Sequence, residues 1–361
     1  MLSSPTYTQA FWKRLRKNVG AMFGLGIIVL CVLLAVFAYF IAPDDTTNAN
    51  RMNVEVGGMK PGYTMQYIQL KNELNTATTN FFSRLLDGTK EQGKYVPVTA
   101  YTFTADSCIV QKYIDEGVHE RQAFALDQLS SNKVITKTYW VGTDKFGRDL
   151  LSRLIVGVRV SLSVGLIAVI ISLSIGIILG SLAGFYRGWI DEVVMWFINV
   201  IWSIPTLLLV FAITLLLGKG FWQVFIAVGL TMWVNVARLV RGQVLALREL
   251  EYIEATRALG FPNSRIIVKH ILPNVMGPVI VIAASNFASA IVIEAGLSFL
   301  GVGVQPPQPS WGLMIKENYN FIITHNPMLA LAPGLAIMIL VLAFNLLGNG
   351  LRDALNVRGK L

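Results

Sequence analysis

The sequence is short of charge, cysteine and histidine. Asp, Glu, Lys and Arg make up 14% of its residues and hydrophobic residues 54%, whereas soluble domains carry about 25% charge. Two cysteines, Cys31 and Cys108, are too few for a structural zinc site, and three histidines lie on separate segments. Neither H-E-x-x-H nor G-x-x-x-x-G-K-[ST] occurs. The sequence therefore predicts no metal site, no catalytic residues and no ATPase on this chain: a non-enzyme.

The positive charge is unevenly distributed. The net charge is +9, yet residues 43–142 hold 10 basic and 11 acidic residues, while the rest of the chain holds 20 basic and 10 acidic ones. A basic excess confined to short loops beside apolar spans is typical of cytoplasmic loops. This pattern indicates a lipid bilayer, and not nucleic acid, as the partner of the basic segments.

Uncharged apolar segments define the fold class. Gly20–Ala42 runs 23 residues without a charge, enough to cross about 30 Å of hydrocarbon. The sequence predicts an all-α integral membrane protein with six transmembrane helices and cytoplasmic N and C termini. The five later spans are predicted at Ser161–Phe185, Val193–Leu217, Val224–Leu245, Gly277–Leu300 and Pro327–Leu347.

Three segments follow from this topology. Residues 1–42 form the cytoplasmic N-terminus and transmembrane helix 1, residues 43–142 an extracytoplasmic insert, and residues 143–361 a five-helix core with a cytoplasmic loop at 246–274. The insert, of about 100 residues, is domain-sized. Tyr95–Phe103 alternates as a strand does, and amphipathic stretches near Thr78–Leu86 and Ile109–Leu129 complete a predicted α+β insert. Its role, as a functionless elaboration or a binding surface, stays open.

The loop between spans 4 and 5 has the composition of a short surface helix. Glu251, Glu254 and Ala255 are good helix formers, Gly260 supplies a helix end or allows close approach, and Pro262 prevents simple continuation. Such a helix, with small residues flanked by charges, suits docking into a groove on another protein. A solvated connector is the alternative.

This loop resembles the EAA signature of ABC importer permeases, E-A-A-x3-G-x9-I-x-L-P. Five positions match in register, while Thr256 replaces the third Ala and His270 replaces the Ile; the matches are Glu254, Ala255, Gly260, Leu272 and Pro273. Three longer segments resemble the dipeptide/oligopeptide/nickel branch of that family, namely Gly142–Leu162, Gly296–Ile315 and Ala343–Asn356. The insert at 43–142 departs from the family pattern.

The resemblance implies a type I importer of the cytoplasmic (inner) membrane. It implies a second homologous permease subunit, two ATPase subunits that hold ATP and Mg, and an extracytoplasmic substrate-binding protein or lipoprotein, with no cofactor on this chain. The ATPases would each grip one EAA helix. The residues that the match assigns to this coupling contact are Glu254, Ala255, Thr256, Arg257 and Gly260.

Four residues are candidates for the gate or the pathway. Glu294 is an ionisable residue among apolar neighbours in span 5, with Arg159 as a candidate partner. Pro205 should kink span 3, and Asn286 could line a hydrated cavity. For each, a structural hydrogen bond or ion pair is the alternative.

The function that the sequence favours is a permease for di- or oligopeptides that forms half of the pathway. Nickel chelates or other small solutes are alternative cargoes. An ion-gradient-driven secondary transporter is a second class, which would leave the EAA loop unexplained. An anchored sensor with the insert as its working part is a third.

Overall fold

The computed structural model describes residues 7–71, 80–90, 93–323 and 326–355. Contacts between residues divide the chain into two units. The first comprises Met1–Cys31, Ser161–Gln305 and Ile337–Leu361, and the second comprises Val32–Val160 and Pro306–Ala336. The second unit thus includes the insert together with the segment that follows the fifth predicted span.

Helices account for most of the described chain outside the insert. In chain order they are α1 Tyr7–Lys17, α2 Val19–Val36, α3 Ala38–Ile41, α4 Phe81–Asp87, α5 Leu150–Tyr186, α6 Gly188–Trp202, α7 Thr206–Leu217, α8 Phe221–Leu247, α9 Glu251–Ala258, α10 Asn263–Arg265, α11 Leu272–Leu300, α12 Trp311–Asn318 and α13 Met328–Leu355. A π-helical segment, Ile266–Ile271, joins α10 to α11.

Among the described residues, five continuous helical segments are long and apolar enough to span a membrane. A sixth span is obtained only if α6 and α7, which meet at 94°, count as one. Several helices are longer than predicted. With 37 residues, α5 is about 55 Å long, well beyond the predicted Ser161–Phe185, because its first turns lie among protein side chains of the second unit.

The third predicted span is broken. Pro205 does not lie inside a helix but stands in extended conformation immediately before α7. The Ser203 hydroxyl donates to the Val200 carbonyl over 2.7 Å. Backbone groups exposed by a break need such partners within a bilayer.

The fifth predicted span begins earlier than expected. The predicted start is Gly277, whereas one helical segment runs from Asn263 to Leu300. The π turn at Ile266–Ile271 directly precedes Pro273. Because proline lacks an N–H and crowds the preceding turn, a wide π turn at this place lets the helix continue.

Glycines on α5 let α8 approach closely in the first unit. A Cβ atom at Gly176 would lie 2.5 Å from the Val236 Cβ atom, and one at Gly180 would lie 2.5 Å from the Ala237 carbonyl oxygen. Small residues serve the same purpose at other membrane helix interfaces. Val236, Val240 and Val244 of α8 belong to a buried apolar cluster that also includes Phe185, Ile266, Ile271 and Val275.

The insert is built on a five-stranded antiparallel sheet with the strand order β4-β3-β2-β1-β5. The strands are β1 Tyr63–Lys71, β2 Gly93–Phe103, β3 Ser107–Asp115, β4 Val118–Ala125 and β5 Leu129–Tyr139. Apolar clusters cover both faces: Ile68 and Val96 belong to one, and Tyr67 and Tyr139 to the other. The two tyrosine hydroxyls share a hydrogen bond of 2.7 Å.

The strand predicted at Tyr95–Phe103 is confirmed as part of β2. The amphipathic stretch Ile109–Leu129 forms most of β3, all of β4, a 3-10 turn at Leu126–Gln128 and the start of β5. Its alternation is compatible with either period over short windows, and pairing between the strands decides the outcome. The other stretch contributes α4, although Thr78 lies outside the described residues.

Candidate functional site

The short helix α9 is held by one face and exposed on the other. Ile253 is fully buried in the apolar cluster of α5, α8 and α11, and Thr256 is buried beside it. Glu254, Ala255 and Arg257 are exposed. The helix therefore packs on the long helices through Ile253 and Thr256, and its charged face is exposed.

The structure divides the five predicted coupling residues into two groups. Four of them are exposed, but the Thr256 hydroxyl donates to the Ile253 carbonyl over 2.7 Å. With 8% of its surface exposed, Thr256 packs against the body of the protein. Its predicted contact with a partner stays a prediction. The substitution of Thr for Ala in the EAA signature thus falls on the inward face.

Gly260 ends α9 for a conformational reason. Its φ angle is +75°, and no heavy atom of the described residues lies within 4 Å of an added Cβ atom. The Gly260 N–H donates to the Arg257 carbonyl and the Phe261 N–H to the Thr256 carbonyl, which is the pattern of a glycine-terminated helix. Of the two predicted roles, the helix end is observed, and the described residues show no close approach to Gly260.

Arginines connect α9 to the ends of the long helices. Arg248 donates to the Phe185 carbonyl, and the Arg257 guanidinium lies 5.2 Å from the centre of the Phe185 ring. Burial and the positive charges of Arg187 and Arg257 lower the pKa of Arg248. A displacement of α9 would thus disturb contacts with Phe185 at the end of α5.

A cavity of about 420 Å³ lies between α6, α7, α8, α11 and α13. Its polar lining combines amides and hydroxyls, contributed by Thr206, Thr231, Asn235, Asn286, Ser289 and Asn345. Asn286 was predicted, and its side chain also reaches the Ser172 hydroxyl on α5 at 3.5 Å. Both readings of this residue, cavity lining and interhelical hydrogen bond, are therefore compatible.

A second cavity, of about 520 Å³, continues along α8, α11 and α13. It is lined by residues one turn further along these helices, including Gln243, Ser285, Asn349 and Arg352. Asn345, Asn349 and Arg352 follow one another at helical spacing, so α13 presents a polar stripe to both cavities. Sequence inspection missed Asn235 and Asn345; polar residues at helical spacing in spans 4 and 6 were the available signal.

A family model described as binding-protein-dependent transport system inner membrane component matches residues 176–359, about half of the chain. The chain belongs to this family. A second model, the N-terminal transmembrane domain of oligopeptide transport permease C, matches residues 6–58. The resemblance stated from the motifs is thereby confirmed, and the protein is a multi-pass ABC transporter permease of the inner membrane.

Three curated relatives align with about two thirds of this permease. The glutathione transport system permease protein GsiD of Pectobacterium atrosepticum is 41% identical over 66% of this chain and 78% of its own. The dipeptide permease DppC of Alkalihalophilus pseudofirmus is 44% identical over 62% and 73%. The oligopeptide permease OppC of Bacillus subtilis is 42% identical over 63% and 74%.

Glu294 of the permease is fully buried in α11. It accepts a hydrogen bond of 2.6 Å from the Ser298 hydroxyl, which in turn accepts one from the Val304 N–H. Arg159 belongs to the other unit, where it donates to the Leu86 carbonyl over 3.0 Å and lies over the Tyr39 ring. The predicted pairing of Glu294 with Arg159 stays a prediction.

The permease also contains a buried ionic cluster that sequence inspection did not identify. We call Asp144, Arg148, Arg153 and Glu317 the buried ionic cluster. Arg148 donates to the Asp144 carboxylate over 2.6 Å and to the Glu317 carboxylate over 2.7 Å, and the Arg153 guanidinium lies 3.6 Å from Glu317. The Asp144, Arg148 and Arg153 side chains are at most 2% exposed. The cluster connects the start of α5 to α12 within the second unit.

This cluster accounts for a local exception to the charge rule. From the sequence, Arg148 and Arg153 belong to a basic group just before span 2, on the side where the topology expects few positive charges. In the structure, Asp144 and Glu317 compensate both charges. The spacing of Asp144 and Arg148 was a usable signal, whereas Glu317 lies too far along the chain to be paired by inspection.

Proposed function

We propose that this permease forms half of the pathway of an ATP-driven importer for di- or oligopeptides, and that α9 couples it to a separate ATPase subunit. The observation that carries the coupling role is the geometry of α9: buried on Ile253 and exposed on Glu254, Arg257 and Gly260. A rigid helix fixed along one stripe can be moved by a partner that grips its open face.

Topology supports the same role. If the broken pair α6–α7 crosses the membrane once, four crossings precede α9, and α9 lies on the side of α1. α1 carries Lys13, Arg14, Arg16 and Lys17 without an acid. The loop that contains α9 adds Arg248, Arg257, Arg265 and Lys269, beside Glu249, Glu251 and Glu254. Basic short segments favour the cytoplasm, which is where an ATPase would stand. The sheet-containing insert would then face outward.

Peptide cargo is favoured by what the relatives share. Glutathione, dipeptides and oligopeptides, named for the three relatives, have amide bonds and a terminal carboxylate in common. A cavity lined by Asn235, Asn286 and Asn345 offers donors and acceptors that suit a peptide backbone of any sequence. Selection among cargoes would then fall to the binding protein, and ATP and Mg to the ATPases.

The test is uptake into proteoliposomes that contain both permeases, both ATPases and the binding protein. Glu254→Lys should reduce trialanine uptake to background and abolish the stimulation of ATP hydrolysis by loaded binding protein, since it reverses the charge offered to the ATPase groove. Glu120→Lys, on the exposed strand β4, reverses the same charge elsewhere and should leave uptake unchanged.

Retained uptake by Glu254→Lys at wild-type protein levels would refute the coupling role. Uptake of nickel without uptake of any peptide would refute the assigned cargo, and uptake that depends on an ion gradient and not on ATP would refute the transporter class.

A further inference from the structure

Arg238 is a charged residue inside a membrane-spanning helix. It lies beyond the middle of α8, and none of the ion pairs among the described residues includes it. Its neighbour one turn further on, Arg241, makes a bidentate pair with Asp191. Among the described residues, an acid therefore balances the charge of Arg241 but not that of Arg238.

The contacts of Arg238 leave much of its hydrogen-bonding capacity unused. Its guanidinium carbon lies 3.5 Å from the centre of the Trp202 ring, and one terminal nitrogen lies 3.5 Å from the Asn199 side-chain oxygen. The Nε atom is buried without a hydrogen-bond partner among the described residues. A guanidinium carries five N–H donors, so most of them remain available.

The Trp202 ring, on which Arg238 stacks, is held by a hydrogen bond and is partly exposed. The Trp202 indole N–H donates to the Asn235 side-chain oxygen over 3.2 Å, and the Trp202 side chain is 55% exposed. Trp202 and Asn235 both line the amide-rich cavity. Stacking on an aromatic face orients a guanidinium, and Arg238 is stacked on a residue that lines that cavity.

An arginine in this position needs an anion. A charge within a bilayer is costly unless it faces a hydrated cavity or meets a partner, and arginine binds carboxylates through two parallel hydrogen bonds. We propose that Arg238, held on Trp202, binds the terminal carboxylate of the cargo as it passes the adjoining cavity. This inference rests on the proposed peptide transport, and it adds a recognition group common to all peptides with a free C-terminus.

The experiment is equilibrium dialysis of radiolabelled trialanine against the purified complex of both permeases and both ATPases, without nucleotide and without binding protein. Trialanine amide serves as the competitor, because it lacks only the carboxylate charge. The wild type should bind trialanine about tenfold more tightly than the amide, a difference of about 1.4 kcal/mol. Arg238→Gln should weaken trialanine binding about tenfold and remove the preference for trialanine over its amide. Arg238→Lys should retain part of the affinity and part of the preference.

The matched control is Lys219→Gln. Lys219 is exposed in the connection between α7 and α8, and its loss removes the same unit of charge without changing either affinity. Equal affinities of the two peptides in the wild type, an unchanged preference in Arg238→Gln, or no saturable binding would each overturn the carboxylate site. Loss of the complex on size exclusion in Arg238→Gln would assign Arg238 to an acid of the second permease instead.

Uptake of trialanine with the binding protein, measured on the same preparations, separates the two proposals. Uptake by a wild type that does not distinguish the two peptides refutes the carboxylate site alone. Absence of peptide uptake refutes the proposed function.

Discussion

The helix α9 and the buried ionic cluster are both charged segments within motifs of the same family, yet they are opposite in environment. On α9, Glu254 and Arg257 are exposed, whereas in the cluster Arg148 and Arg153 are each 1% exposed. Exposed charges contribute little to stability and are available to a partner. Buried pairs are costly to break and are available to nothing outside.

This contrast predicts that charge in one segment serves transport and charge in the other serves folding. The charge of Glu254 should matter to transport and not to folding, because this side chain is exposed. Charge in the cluster should matter to folding, because Glu317 of α12 and Asp144 before α5 are compensated by the same arginine. Substitutions that separate transport from stability can break or sharpen this distinction.

The largest effect is expected from Arg148→Met. The substitution keeps much of the side-chain volume but leaves Asp144 and Glu317 buried without their main partner, which should lower the free energy of unfolding by about 3–5 kcal/mol. Thermal unfolding of the purified complex in detergent measures it. Arg187→Met is the control, because its pair with Glu249 is about half exposed and should contribute at most about 1 kcal/mol. Equal losses in the two variants would remove the distinction.

The sequence was sufficient to predict the exposed segment. The register of Glu254, Ala255 and Gly260 is contained within a few turns, and the helix, its end and its family could be predicted from local spacing. Burial of Thr256 could not, because it depends on how α9 rests on Ile266 and Ile271. Local sequence patterns predict that a helix forms and where it ends. They do not predict which face is buried, because tertiary contacts determine the orientation of a short helix.

The cluster and the insert show where such prediction ends. Glu317 and Arg148 are joined by a contact between positions far apart in the chain, and a single sequence contains no signal for it. The amphipathic stretch Ile109–Leu129 was not assigned to helix or strand, and its strands are defined by the pairing of β3 with β4 and with β2. The broken span was partly predictable, since Pro205 indicated a kink, but the 94° angle depends on packing against α8 and α11.

A smaller effect is expected from Gly260→Ala. The left-handed conformation at Gly260 disfavours a side chain by about 1–2 kcal/mol, and the strain can be relieved by turning the end of α9. Peptide uptake should therefore fall several-fold while the thermal midpoint changes little. Gly218→Ala is the control. Gly218 also has a positive φ angle, +91°, and no described atom lies within 4 Å of its added Cβ atom, but it lies before the start of α8, whose other end leads to α9. Equal loss of uptake in both would show a general effect of strain.

The smallest effect concerns the pH dependence of stability beside the cluster, where two buried carboxylates are shifted in opposite directions. Burial acts to raise the pKa of Asp44, but the charges of Arg51 and Lys137 and the hydrogen bond from Thr46 outweigh it and lower the pKa. Burial raises the pKa of Asp149 despite its hydrogen bonds from Ser152.

The signs of their contributions are opposite as well. Asp44 stabilises the fold above its unfolded pKa of about 3.9, and this contribution is lost as the pH falls through the lower folded value. Asp149 binds its proton more readily when folded, so stability is gained as the pH falls through its raised pKa. Thermal midpoints between about pH 7 and pH 3 should show the advantage of wild type over Asp44→Asn shrinking with acidification. Over the same range, the thermal midpoint of wild type should rise relative to that of Asp149→Asn as the pH falls. Parallel curves for both variants would show that neither shift contributes to stability, and the buried acids would then resemble the exposed ones of α9.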